Sequence, residues 1–198
     1  MKLPRGKYLI LAITVPVAVI LDQITKILAI IHLRPLVVEA APSDRYVTVI
    51  DGFFRLKYAE NAGAAWGLFR DASASFRIPF FIIVSLIAIG VIIWFFKKIE
   101  KQQRLLPLAV ALVLGGAIGN LIDRVRMGKV VDFIDWYVTF DGPTSFIFFT
   151  AGPGEKHWPT FNVADAAISI GVVLLLIEMI IGQKKKEPDE EETAEAKT

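Results

Sequence analysis

The 198-residue sequence contains no cysteine and only two histidines, His32 and His157. The absence of cysteine excludes disulfide bonds and thiol chemistry. The histidines do not form the HExxH motif of a zinc peptidase, and no serine lies in the GxSxG setting of a nucleophile elbow. We therefore expect neither a metal nor another cofactor. Any hydrolytic chemistry falls to the carboxylates.

Long apolar runs dominate what is present. Hydrophobic residues make up 55% of the chain, and the mean hydropathy is +0.55. Crossing about 30 Å of hydrocarbon takes about 20 apolar residues in a helix. The sequence has four runs of suitable length, at about 8–33, 76–96, 105–122 and 161–181. They predict an all-α polytopic membrane protein. A cleaved signal peptide is the alternative for the first run, but no small-x-small cleavage site follows it.

Basic residues cluster before the first run, between the second and third runs, and after the fourth. Short cytoplasmic connections are enriched in Lys and Arg, so both termini are predicted to be cytoplasmic. The segments at about 34–75 and 123–160 are then extracytoplasmic. Residues 1–182 are expected to form one integral-membrane domain. The charged segment 183–198 is predicted to be a disordered cytoplasmic tail.

Four aspartates interrupt these apolar runs or lie at their edges: Asp22, Asp123, Asp132 and Asp165. Ionisable groups at membrane depth are costly, and they are retained mainly where they pair, face a bundle interior or perform chemistry. A helix rises about 1.5 Å per residue, which places all four near the outer interface. We therefore expect them to meet in one layer.

Local partners separate the four aspartates into two pairs. Asp22 and Lys26 are spaced i, i+4 and share a helix face, which indicates a structural ion pair. Asp123 has Arg124 beside it and Asn120 one turn earlier, and small residues precede it. Small residues allow helices to approach closely, so Asn, Asp and Arg can bond across the contact. Asp22 and Asp123 are interpreted as structural supports, with Arg124 holding Asp123 ionised.

Asp132 and Asp165 have apolar neighbours and no cation close in sequence. Desolvation raises the pKa of a carboxyl group in such surroundings, and a second carboxylate raises it further. Two acids that share one proton can activate water with one group and protonate with the other. Paired acids also serve as proton relays. Without further motifs, hydrolysis and proton or ion movement are equally supported.

The first predicted extracytoplasmic segment has the pattern of a β-hairpin. Apolar β-branched and aromatic residues flank Asp51-Gly52, a dipeptide suited to a tight turn. The segment AENAGAAWG follows, where Asn61 offers an amide and Gly63 permits unusual backbone angles. We expect a small extracytoplasmic β-element next to the aspartates.

Four blocks of sequence resemble the successive signature blocks of lipoprotein signal peptidase, or signal peptidase II: DQITK at 22–26, NAGAAWG at 61–67, GNLIDRVRMGKVVDFID at 119–135 and FNVADAAISIG at 161–171. They occur in that family's order and span about residues 8–182. The family consists of bacterial inner-membrane aspartic peptidases. These enzymes remove signal peptides from prolipoproteins whose lipobox cysteine carries a diacylglyceryl group.

The resemblance implies that Asp132 and Asp165 form a catalytic dyad near the outer face of the bacterial inner membrane. It implies diacylglyceryl prolipoproteins and membrane lipid as partners, no nucleic acid, no metal or cofactor, and a monomer. Asn61 and Asn162 would position the peptide backbone. Residues that match positions the family keeps around its active site are Asp22, Lys26, Asn61, Gly63, Asn120, Asp123, Arg124, Asn162 and Ala164.

Three alternatives stay open. Asp123 is the rival of Asp132 as the partner of Asp165, because its GNLID block is equally distinctive. The aromatic insert at 136–160 departs from the shorter connection of many relatives, and it is either an interfacial loop or short hairpin or a lid over the substrate. A small transporter that uses the same acids as a relay competes with the peptidase.

Overall fold

A computed structural model describes residues 6–39, 41, 45–63, 72–99, 105–145 and 150–195. Its helices are α1 (Lys7–His32), α2 (Arg34–Glu39), α3 (Ala74–Lys98), α4 (Leu105–Met127) and α5 (Val163–Glu195). Its strands are β1 (Tyr46–Ile50), β2 (Phe54–Asn61), β3 (Val130–Phe140), β4 (Thr144–Ser145), β5 (Thr150–Ala151) and β6 (Gly154–His157).

Four helical segments of the described chain are long and apolar enough to cross a membrane: Lys7–Val38, Ala74–Lys98, Leu105–Met127 and Val163–Ile181. This confirms the prediction of four transmembrane helices. Two boundaries differ from those predicted. Helix α4 continues beyond 122 to Met127, and α5 continues to Glu195 where the sequence predicted a disordered tail. Most residues of this segment, such as Lys, Gln, Glu and Ala, are good helix formers, and they continue the helix on both sides of Pro188.

Helix α4 lies at the centre of the bundle, in contact with α1, α3 and α5. Glycines allow the close approach. A Cβ on Gly115 would lie 2.8 Å from the Cβ of Ala18 on α1, and a Cβ on Gly171 of α5 would lie 2.7 Å from the carbonyl oxygen of Ala109. Large apolar side chains on α1, α3 and α5 are exposed, as expected of surfaces that face lipid.

The start of α1 is fixed to the end of α3 by one buried cation. Lys7 Nζ donates hydrogen bonds to the carbonyl oxygens of Phe96 and Lys97, each at 3.1 Å, and to that of Ile99. The last carbonyls of a helix lack partners within the helix and carry partial negative charge. A lysine at this position donates hydrogen bonds to them and neutralises that charge.

A four-stranded antiparallel sheet of order β1-β2-β3-β6 lies at the other end of the bundle, where α4 leads into β3. The turn between β1 and β2 contains Gly52 at φ 71°, which confirms the predicted hairpin. The insert at 136–160 continues β3, pairs it with β6 and adds the short β4–β5 pair. Part of the AENAGAAWG segment, residues 64–67, lies outside the described residues.

Candidate active site

A buried lysine joins two of the four aspartates. Lys26 Nζ lies 2.9 Å from Asp22 Oδ2, 3.0 Å from Asp123 Oδ2 and 2.9 Å from Asn120 Oδ1. Lys26, Asp22 and Asp123 are at most 2% exposed. Three acceptors satisfy the three donors of the ammonium group. The predicted Asp22–Lys26 pair is present, but Asp123 shares the same cation.

Asp22 connects α1 to the start of α5. Its Oδ1 accepts a hydrogen bond of 2.9 Å from the backbone N–H of Ala164, one of the first amides of α5, which lack partners within the helix. Helix α4 passes close beside it, because a Cβ on Gly119 would lie 2.5 Å from Asp22 Oδ2. The glycine therefore makes room for the carboxylate between three helices.

The sequence FNVAD forms a reciprocal cap at the start of α5. Asn162 Oδ1 accepts a hydrogen bond of 3.0 Å from the N–H of Asp165, and Asp165 Oδ2 accepts one of 3.3 Å from the N–H of Asn162. This is the pattern of a capping box with Asn and Asp in place of Ser and Glu. Asp165 Oδ1 also accepts a hydrogen bond of 2.8 Å from the Asn120 side-chain amide. Its side chain is thus held on both oxygens.

Strand β3 is tied to the same point of the chain. Ile134 and Phe161 exchange backbone hydrogen bonds of 2.8 and 3.1 Å, immediately before Asn162. The Asn162 side chain is fully buried. Its Nδ2 donates a hydrogen bond of 2.7 Å to Asp132 Oδ1. The same nitrogen lies 3.2 Å from Asn120 Oδ1 and 3.3 Å from the Val131 carbonyl oxygen. Asn162 therefore contacts both Asp132 and Asp165.

Asp132 is buried, and its pKa is raised from 3.8 to about 7. Desolvation is the main cause and the charge of Asp165 adds to it, while hydrogen bonds from Asn61 and Asn162 partly oppose the rise. A carboxyl group that titrates near neutral pH can hold or release a proton under physiological conditions.

Asp123 and Asp132 have different contacts. Asp123 faces Lys26, the Gln23 amide at 3.2 Å and the backbone N–H of Val131 at 3.2 Å. Asp132, in contrast, shares Asn162 with Asp165. Asn162 thus connects Asp132 to Asp165.

Two predicted partnerships have other close contacts in the structure. Arg124 Nη1 lies 3.4 Å from the Asn120 carbonyl oxygen and its guanidinium lies over the Phe81 ring, while Lys26 forms the close ion pair with Asp123. The charge of Arg124 acts on Asp165 and Asp132 as well as on Asp123. Asn162 was predicted to position the peptide backbone; its amide nitrogen lies within hydrogen-bond distance of three acceptors in the protein, Asp132 Oδ1, Asn120 Oδ1 and the Val131 carbonyl oxygen.

Asn61 and Gly63 lie at the edge of this cluster. Asn61 ends β2 opposite Val130, bonds to Asp132 and accepts a hydrogen bond of 3.2 Å from the N–H of Gly63. Asn61 is only partly buried. Of the predicted site residues, it remains the one whose amide is best placed to reach a bound peptide.

Two groups of polar residues were missed in the sequence. Gln23 donates to Asp22 Oδ2 at 3.1 Å and to the Gly119 carbonyl oxygen at 3.2 Å, and its position in the DQITK block is the only signal for it. The second group surrounds Asp135 on β3. Nothing in the sequence connects Asp135 with its partners, because they lie on β2 and β6. Within the described residues, no group of three or more His, Asp or Glu side chains is arranged to hold a metal ion.

Comparison with known proteins agrees with this architecture. The sequence model of a family described as signal peptidase (SPase) II matches residues 14–181. The chain belongs to the signal peptidase II family. It is therefore a membrane peptidase of that family, as the four sequence blocks predicted.

Individual relatives cover most of the chain. The lipoprotein signal peptidase of Syntrophotalea carbinolica is 44% identical over 179 residues, 89% of this chain and 93% of its own. That of Geobacter sulfurreducens is 42% identical over 173 residues, 86% of this chain and 91% of its own. A solved structure described as a bacterial membrane enzyme has a TM-score of 0.61 at 30% identity and covers 91% of this chain and 90% of that one. The similarity to signal peptidase II thus includes the whole bundle.

Proposed function

We propose that this chain is an aspartic endopeptidase that removes the signal peptide from diacylglyceryl-modified prolipoproteins, cutting before the lipidated cysteine. Asp132 and Asp165 are its catalytic dyad. The observation that carries the proposal is Asn162, whose side-chain amide donates to Asp132 Oδ1 and whose backbone N–H donates to Asp165 Oδ2. Asn162 thereby joins a buried carboxyl group with a pKa of about 7 to a partly buried one. The relatives, named lipoprotein signal peptidases, support the choice of substrate.

The two carboxyl groups differ in burial, and this assigns their starting roles: Asp132 is buried, whereas Asp165 is only partly buried. Asp165 accepts a hydrogen bond on each oxygen, and such bonds favour the ionised form of a carboxylate. Asp132 has the pKa that allows it to begin protonated. Asp165 then takes a proton from the attacking water, while Asp132 donates its proton toward the scissile carbonyl oxygen. The dyad shares one proton throughout, so its two titrations belong to the pair.

The neighbouring ion pairs hold this dyad without reacting. Lys26 is saturated by Asp22, Asp123 and Asn120, so these charges fix α1 and α4 around the start of α5. Arg124 supplies positive charge near both catalytic acids. Asn61, at the accessible edge, is proposed to bond the peptide backbone of the substrate.

The membrane supplies much of the substrate binding. The clustering of basic residues supports a topology with both termini on the cytoplasmic side of a bacterial inner membrane, and the sheet and dyad near its outer face. The diacylglyceryl chains and the apolar signal helix enter sideways from the outer leaflet. The chain acts as a monomer and binds no nucleic acid in this proposal.

The test is release of signal peptide by purified protein in lipid, with a diacylglyceryl-modified prolipoprotein as substrate. The native chain is expected to cleave, and Asp132→Asn and Asp165→Asn to be inactive while folded. Asp141→Asn, the same exchange at an exposed residue just beyond the far end of β3, is the control and should retain activity. Cleavage that persists in either aspartate variant would refute the dyad. Movement of protons by a native chain that does not cleave would favour the transporter.

A further inference from the structure

A buried ion-pair cluster lies on the sheet beyond the dyad. Asp135 of β3 is fully buried, and its carboxylate lies 2.7 Å from Arg55 Nε, 2.8 Å from Lys57 Nζ and 3.1 Å from His157 Nδ1. Burial alone would raise the pKa of Asp135, but the hydrogen bonds from Lys57 and Arg55 outweigh it and lower the pKa. Asp135 therefore stays ionised and holds its cations.

Arg55 is the most constrained member of the cluster. Its guanidinium lies between the rings of Tyr46 and Tyr137, 4.2 and 4.5 Å from their centroids, and its Nη1 lies 3.1 Å from Glu155. A planar guanidinium can stack on rings and bond carboxylates at once, which an ammonium group cannot do. The cluster thus locks β1, β2, β3 and β6 together at this point.

The pairing of β2 with β3 contains a β-bulge between this cluster and the dyad. Leu56 stands opposite Ile134 and Ala59 opposite Asp132, so Lys57 and Tyr58 together stand opposite a single residue of β3. A bulge adds one residue to one strand and changes which face the following side chains occupy.

The bulge decides which residues can meet. Side chains alternate between the two faces of a strand, so Asp132 and Asp135 point to opposite faces of β3. Arg55 is paired with Asp135, whereas Ala59 and Asn61 follow the bulge and share the face of Asp132. In a regular strand, Arg55 and Asn61 would lie on one face. Arg55 could then not reach Asp135 while Asn61 reached Asp132.

We propose that the Arg55–Asp135 ion-pair cluster and the adjacent bulge are a positioning device that holds Asn61 against Asp132, with Arg55 and Asp135 as positioning residues. The cluster fixes the register of β2 against β3 on one side of the bulge. On the other side of the bulge, this register determines the position of Asn61 beside Asp132. This inference rests on the proposed function, in which Asp132 is catalytic and Asn61 binds the peptide.

The device also gives the aromatic insert a role. Strand β6 belongs to the insert at 136–160 and contributes both His157 and Glu155 to the cluster. Backbone bonds pair Tyr137 with His157 and Phe140 with Gly154. The insert therefore supports β3 from the side opposite β2, and we interpret it as a brace of the catalytic strand.

Arg55→Lys is the decisive variant. It keeps the positive charge but removes the planar guanidinium that stacks on the Tyr46 and Tyr137 rings and bonds to Asp135. A displacement of about 1 Å at a catalytic group costs up to about 100-fold in rate. We expect kcat per folded enzyme to fall about 10- to 100-fold, and KM to rise as well because Asn61 is proposed to bond the peptide. Weakening the Asn61 bond to Asp132 should also raise the Asp132 pKa, moving the limb of the pH–rate profile that reports Asp132 to higher pH. Lys156→Gln, which removes an exposed cation from β6, is the control, with unchanged kcat and profile.

Two further variants keep the test decisive. Asp135→Asn should have the same kinetic effect, and deletion of Tyr58 should abolish cleavage because it removes the bulge. If Asp135→Asn fails to fold, Arg55→Lys decides alone. Folded Arg55→Lys protein with native kcat and native pH profile would overturn the proposal.

A readout independent of cleavage separates this inference from the proposed function. The pH dependence of unfolding, compared between proteins with and without Asp132→Asn, reports the Asp132 pKa directly. Arg55→Lys should raise that pKa even if the native chain cleaves no prolipoprotein, in which case only the proposed function fails. An unchanged Asp132 pKa in the Arg55→Lys background would refute the positioning role whatever the activity.

Discussion

Replacement of Asp132 by asparagine is expected to stabilise the protein at neutral and alkaline pH while it abolishes activity. Asn162 can still donate to the amide oxygen of the new side chain, since Asn and Asp have the same shape. The new amide can donate toward Asp165. What the substitution removes is the unfavourable ionisation of a buried carboxyl group.

The magnitude follows from the pKa. Asp132 titrates at 3.8 when solvated and at about 7 in the folded protein, a rise of about three units. Each unit corresponds to about 1.4 kcal/mol, so ionised Asp132 destabilises the fold by about 4 kcal/mol. The sign follows from proton binding: between pH 4 and 7 the folded state binds more protons than the unfolded state. The stability conferred by the protonated group is complete below pH 4 and is lost as the pH rises through 7.

The assay is the free energy of unfolding in detergent, measured by denaturant titration at several pH values. The Asp132→Asn and native proteins should differ little at pH 4, and the variant should be more stable by up to about 4 kcal/mol at pH 8. Asp141→Asn is the control, because Asp141 is exposed at the far end of β3 and stays hydrated. A difference between Asp132→Asn and the native protein that does not change with pH would refute the reasoning.

Three more substitutions test the supports. Lys26→Met leaves two buried carboxylates unpaired and should cost about 3–5 kcal/mol of unfolding free energy, and an unchanged denaturation midpoint would contradict the shared ion pair. Gly119→Ala places a methyl group against Asp22 and should lower both the melting temperature and kcat, whereas native values would mean that α1 and α4 can separate freely. Lys7→Met removes the cation at the end of α3 and should lower the melting temperature without changing the pH–rate profile, and an altered profile would show that this end of the bundle communicates with the dyad.

Much of the fold was predictable because the signals were local. Four apolar runs of spanning length predict four helices whatever their packing, and Asp51-Gly52 between β-forming residues predicts the hairpin. The common depth of the four aspartates was predictable as well, because the rise of a helix is constant. Lys26 was found as a partner of Asp22 for the same reason, since i, i+4 residues share a face.

The contacts that the sequence did not predict join elements distant in sequence. Arg124 is adjacent to Asp123 in the chain, but successive helical residues point in different directions, and the ammonium group that reaches Asp123 comes from Lys26 on another helix. Asn162 was interpreted as a peptide ligand, but folding places Asn120 and Asp132 around its amide. The Asp135 cluster gave no signal because its members lie on β2, β3 and β6.

The sequence by itself determined the class of the protein: a four-helix membrane protein without thiols, with acids at one depth and the blocks of signal peptidase II. Tertiary structure alone decided which side chains hold those acids. Lys26 binds Asp22 and Asp123, whereas Asn162 joins Asp132 to Asp165. Hydropathy and residue spacing can be determined within a single segment of the chain. Which charged groups form ion pairs depends on distances of about 3 Å between different helices and strands, and burial makes each unpaired charge costly.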